Sequence, residues 1–128
     1  MRREILFRGL RIDGQGWLYG DLIQWKSKGI CAITPQEGNE WSNPYDFEVI
    51  PETVGQFTGL LDKNGTKIFE GDLCNLKYWN GDYVKISWDK SLCTFKATVV
   101  SNGIECEDFY FIESDSPKFE VIGNIHEQ

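Results

Sequence analysis

Residues 72–106 read DLCNLKYWNGDYVKISWDKSLCTFKATVVSNGIEC, and the alternation in this stretch decides the fold. Cys74, Leu76 and Tyr78 share one face of an extended segment, and Val84, Ile86 and Trp88 share one face of the next. That period of two marks half-buried strands. A two-residue loop at Asn80-Gly81 would set Leu76 against Lys85. A three-residue loop, Trp79-Asn80-Gly81, instead opposes Leu76 to Val84 and Cys74 to Ile86, and places Lys77 beside Tyr83. The three-residue loop is therefore expected, with Gly81 in the left-handed region.

The next connection follows the same logic. A two-residue loop would face Lys85 with Lys96, a like-charge pair. A four-residue loop, Lys90 to Cys93, pairs Trp88 with Phe95 and Ile86 with Ala97. Asn102-Gly103 then suits a type I′ hairpin that puts Val99 opposite Cys106, and Asp108 breaks the pattern in the manner of a bulge. A last strand, Phe119 to Ile125, completes five consecutive strands. The interior is expected to be lined by Leu76, Val84, Ile86, Trp88, Phe95 and Val99. A curled meander of this size buries its apolar face best by closing, so an SH3-like antiparallel barrel is predicted for residues 61–128.

Upstream, Glu4 to Ile12 and Trp17 to Trp25 read as a hairpin across the turn Asp13-Gly14-Gln15-Gly16. Trp17, Tyr19, Ile23 and Trp25 lie on one face of its second strand. A turn at Lys26 to Gly29, a short strand Ile30–Thr34, a loop from Pro35 to Tyr45 and a strand Phe47–Ile50 follow. Residues 1–60 thus form an N-terminal hairpin and extended region. Composition agrees: two Ala and one Met leave few strong helix formers, whereas 18 aromatics and 13 Gly suit strands and turns. The expectation is an all-β protein with little helix.

Charge and motifs narrow the chemistry. The net charge of -7 disfavours duplex DNA as a main partner. Residues 1–11 nevertheless hold four arginines and one acid, and residues 105–128 hold seven acids and one base. No apolar run reaches the ~18 residues of a membrane span, and no signal-peptide core is expected. Cys31, Cys74, Cys93 and Cys106 contain no closely spaced pair, and His126 is the lone histidine. The cysteines are read as reduced, half-buried apolar residues, with no metal and no cofactor expected. Asp62-Lys63-Asn64-Gly65 fails as a calcium loop because its glycine is fourth rather than sixth. Gly14-Gln15-Gly16 fails as a dinucleotide fingerprint, and no nucleophile motif stands near a base. Asp72, Asp82 and Asp89 are more consistent with solvated turn acids than with a carboxylate pair. No enzyme is expected.

Three segments carry a resemblance. They are Phe7-Arg8-Gly9 with Trp17-Leu18-Tyr19-Gly20-Asp21-Leu22, the block from Pro51 to Leu60 with Asp62 to Leu73, and Phe119-Glu120-Val121-Ile122-Gly123-Asn124-Ile125-His126. In these the chain resembles the YopX family. The resemblance implies a β-rich bacteriophage or prophage protein acting in the cytoplasm of the bacterial host, and it transfers no catalytic residue. Residues 26–45 and 90–116 lie outside it.

Two functions follow as expectations. The first is a non-enzymatic, oligomer-forming module that binds itself and an unidentified phage or host protein through Trp17, Tyr19 and Trp25. The alternative is a single-stranded nucleic-acid binder using Lys77, Trp79, Tyr83, Lys85 and Lys96, where rings beside lysines stack bases.

Overall fold

The computed structural model describes residues 4–37, 43–76, 83–110 and 119–126. The chain divides into two compact units, Met1–Phe57 and Thr58–Gln128. It is all-β, and the described residues form ten strands in two antiparallel five-stranded sheets. Among the described residues helix is confined to three 3₁₀ turns, Lys26–Lys28, Pro44–Phe47 and Pro51–Thr53. The strands of the first sheet are β1 (Phe7–Leu10), β2 (Trp17–Trp25), β3 (Ile30–Thr34), β4 (Gly55–Leu61) and β5 (Lys67–Phe69), in the order β3-β2-β1-β4-β5. The second holds β6 (Asp72–Leu76), β7 (Tyr83–Asp89), β8 (Thr94–Ser101), β9 (Ile104–Tyr110) and β10 (Phe119–Asn124), in the order β10-β6-β7-β8-β9.

In the first unit β1 and β2 form the expected hairpin, with Arg8 opposite Tyr19 and Leu10 opposite Trp17. Gly29 ends the turn after β2 in the left-handed conformation, which a residue with a side chain resists. Ala32, Ile33 and Val49 are buried. Gly9 packs closely on two of them: a Cβ there would lie 3.0 Å from Val49 Cβ and 3.1 Å from Ile33 Cδ1. The strand expected at Phe47–Ile50 is reduced to two isolated bridges, Ala32 with Glu48 and Arg11 with Val49. Pro44 starts a 3₁₀ turn that runs through Phe47, and its fixed φ suits that first position.

In the second unit the core is Ile68, Cys74, Val84, Ile86, Ala97, Val99 and Phe119, with Leu60 and Val121 packed against it. Burying each of the large aliphatic side chains contributes roughly 1.5–3 kcal/mol before entropy is subtracted. The β7–β8 register is the expected one: Trp88 faces Phe95 and Ile86 faces Ala97 around the loop 90–93. Ser101 faces Ile104 across Asn102-Gly103, whose φ values of 54° and 77° are those of a type I′ turn. The register then shifts between Thr98 and Val100, so the bulge sits just before Asp108.

Three expectations fail in this unit. Cys74 faces Val84 rather than Ile86, and Leu73 faces Lys85. The slip is two residues, which keeps the same side chains inward, so alternation alone does not distinguish the two registers. Trp88 is 46% exposed, not interior. It lies at the end of β7 beyond the buried cluster, edge-on to Phe95 with ring centroids 5.0 Å apart. Finally, Cys74 is buried but Cys93 and Cys106 are exposed, one in a hairpin loop and one on a terminal strand, whereas Cys31 of the first unit is half-buried as expected. The Trp79-Asn80-Gly81 loop falls outside the described residues, as does the side chain of Leu76.

Candidate interaction surfaces

Strand pleating assembles the first surface. Residues 17, 19, 23 and 25 of β2 project to one side because they are an even number of positions apart. Their neighbours across the ladders are Leu10 and Arg8 on β1, and Ala32 and Ile30 on β3. Ala32 and Ile30 are buried, but the rings of Tyr19 and Trp25 are not. Tyr19 is 49% and Trp25 41% exposed, and Tyr45, from the turn that Pro44 begins, is 52% exposed. Tyr45 packs at a tilt against Trp25, with centroids 6.1 Å apart. Trp17 is more covered, and the Arg8 guanidinium lies 4.9 Å from its ring centre, a cation–π contact. The structure thus brings Trp17, Tyr19 and Trp25 onto one face and adds Tyr45. Sequence reading missed Tyr45 because it lies twenty residues from Trp25 in a segment without alternation.

The second surface is the side of β7, β8 and β9 opposite the core. It carries Tyr83, Lys85 and Lys96, as expected; Lys77 and Trp79 lie outside the described residues. Both described lysines are matched by acids. Lys85 reaches across β8 to pair with Glu105, and Lys96 Nζ lies 3.2 Å from Asp108 Oδ2. The Thr98 hydroxyl donates to Asp108 Oδ1 at 2.7 Å, and the Tyr110 hydroxyl donates to Asp89 Oδ2 at 2.8 Å. The Thr98 hydroxyl, and after it Lys96, hold the Asp108 carboxyl below its ordinary range despite some burial. The Tyr110 hydroxyl does the same for Asp89. Beside this network is an open depression of about 300 Å³ lined by Lys96, Thr98, Glu105, Cys106, Glu107 and Asp108. The signal that was available is the spacing of acids in β9: once the Asn102-Gly103 turn sets the register, Glu105 falls on the lysine side of the sheet.

Of the acids weighed as a carboxylate pair, Asp72 and Asp89 are each engaged in their own turn. Asp72 is buried and accepts from the Phe69 N–H at 2.7 Å, closing the turn into β6. Asp89 also accepts from the Ser91 N–H in the β7–β8 loop. Asp82 lies outside the described residues. Asp62, read as a turn residue, proves to be a long-range tie. Its Oδ1 accepts from the N–H groups of Asn64 and Thr66 at 2.8 and 2.9 Å, and its Oδ2 accepts from Val121 N–H at 2.9 Å. Among the described residues no cluster of three or more His, Cys, Asp or Glu is placed to hold a metal ion, and no helix is long and apolar enough to cross a membrane.

The turn around Asp62, the hairpin of β1 and β2 and the terminal strand β10 are the segments that carried the resemblance, and they lie in both units. No curated protein matches the chain. The model of the YopX protein family matches residues 6–128, nearly the whole length, and the chain belongs to that family.

Proposed function

We propose that this protein is a non-enzymatic module that forms oligomers and binds protein through the aromatic face of β2. In keeping with its family we read it as a phage or prophage protein of the bacterial cytoplasm, and its second sheet as an SH3-like barrel of the five consecutive strands β6 to β10 whose end strands, β9 and β10, do not pair with each other among the described residues. The observation that carries the functional reading is the exposure of Tyr19 and Trp25 on one face of β2, with the exposed Tyr45 packed against Trp25. Large aromatic rings left 41–52% exposed on one surface are typical anchors of protein contacts. The nucleic-acid alternative loses support from the pairing of Lys85 and Lys96 with Glu105 and Asp108, because paired lysines release fewer counterions on binding phosphate.

The test is the double variant Tyr19→Ser/Trp25→Ser, followed by light scattering over a concentration series. Neither residue is buried, so the fold is expected to survive, as checked by far-ultraviolet circular dichroism. The parent chain is expected to show a mass above the 14.8 kDa monomer, and the variant to return to it. A monomeric parent at all concentrations would remove self-association from the reading.

A further inference from the structure

The strand order leaves β9 at one end of the second sheet, and among the described residues no strand pairs with its outer side. Its described side chains are all exposed. A free strand edge presents a row of N–H and C=O groups that accepts any extended chain able to come alongside. We propose that the outer edge of β9 takes up an extended basic segment of a partner protein by strand addition.

Three features select that occupant. First, β9 carries Glu105, Glu107 and Asp108 and no lysine or arginine, so even with Lys85 and Lys96 paired to Glu105 and Asp108 this strand keeps an excess of acid, on a chain of net charge -7. A second copy pairing β9 to β9 would bring these carboxylates together, and like charges facing across a ladder destabilise it. A strand bearing lysine or arginine at alternate positions is favoured for the same reason. Second, the register shift between Thr98 and Val100 opposes two β9 residues to one on β8. Such a bulge bends the strand locally and re-aims its side chains. Here it accompanies the open depression of about 300 Å³ lined by Lys96, Thr98, Glu105, Cys106, Glu107 and Asp108, in which three carboxylates outnumber one lysine. Third, β9 is anchored from behind. Lys85–Glu105 and Tyr110–Asp89 both span β8, and Lys96–Asp108 and Thr98–Asp108 join neighbouring strands. The edge is therefore held in its extended form before a partner arrives, which lowers the ordering cost of binding. This surface shares no residue with the hairpin face, so either reading can fail without the other.

The probe is a fluorescent peptide alternating lysine and threonine, titrated against the full chain by anisotropy. A glutamate–threonine peptide is the control. Two further versions of the lysine peptide are N-methylated on alternate residues, each removing the N–H donors from one edge while keeping every charge. Strand addition predicts that one methylated version binds like the parent peptide and the other loses about tenfold or more. Glu107→Lys, and separately Ile104→Lys on the same exposed strand, are each expected to weaken binding by about tenfold through charge. Equal affinity of the two methylated versions would overturn the proposal in favour of plain charge attraction. So would absence of binding by the unmethylated lysine peptide, or unchanged affinity in both lysine variants.

Discussion

Asp62 shows how one side chain holds distant parts of the second unit. It is almost fully buried, yet its carboxylate satisfies three backbone N–H groups, two in its own turn and one 59 residues away on β10. Lys63 N–H donates to Phe119 C=O, and Glu120 accepts from Asn64, which adds to the same tie. Burial alone would raise the Asp62 pKa. The N–H donors of Val121, Thr66 and Asn64 together outweigh it and leave the pKa below the ordinary 3.8. The folded chain therefore holds this proton less readily than the unfolded chain does. The resulting stabilisation is fully present above the usual aspartate range and is lost as pH falls through and below 3.8. Asp62→Ala is expected to cost about 3 kcal/mol at neutral pH, since it orphans buried N–H groups. Asp62→Asn should cost nearly as much, because its amide must turn an N–H toward one of the donors. Urea titrations at about pH 7 and about pH 3.5 check both, and the difference between parent and variant should shrink at the lower pH. The sequence made the turn legible through Asp62, Asn64 and Gly65, but nothing local to those residues announces Val121.

Registers at the level of strands and turns were legible wherever a short turn fixed them. The loop at 90–93 and the Asn102-Gly103 turn each allow few lengths, so the pairing of Ile86 with Ala97 and of Ser101 with Ile104 follows from them. The β6–β7 register was misread because alternation is blind to a shift of two: Cys74 points inward whether it meets Val84 or Ile86. Trp88 was misplaced for a related reason. Alternation says which face a side chain is on, and it does not say where the cover over that face stops. Gly20 is another case that sequence cannot reveal. It sits in β2 opposite Phe7, and a Cβ there would meet the Thr34 carbonyl oxygen at 1.9 Å. No rotamer relieves a clash with backbone, so β3 would have to move away from β2. Gly20→Ala is expected to destabilise the first unit by about 2–4 kcal/mol. Gly14→Ala, at a left-handed turn position with open space around it, should cost only about 1 kcal/mol. Chemical denaturation followed by tryptophan fluorescence separates the two, and equal losses would contradict the close approach.

Charge and apolar surface make opposite demands on the molecule as a whole, and that opposition distinguishes its two candidate contacts. Two copies meeting through Tyr19, Trp25 and Tyr45 each bring a net charge of -7, so their attraction works against long-range repulsion. Added salt shortens the screening length from roughly 14 Å at about 0.05 M to roughly 4 Å at about 0.5 M. It removes the repulsion while leaving apolar burial intact, so self-association should tighten. A basic strand on β9 behaves in the opposite way, because salt screens its attraction to Glu105, Glu107 and Asp108. Light scattering of the parent chain and anisotropy of the lysine peptide, each at the two salt concentrations, should therefore move in opposite directions. The basic start and acidic end of the chain offer a third arrangement, in which copies join by opposite charges rather than by rings. In that arrangement self-association would weaken with salt alongside peptide binding. It would also survive Tyr19→Ser/Trp25→Ser, which would move the self-contact away from the aromatic face.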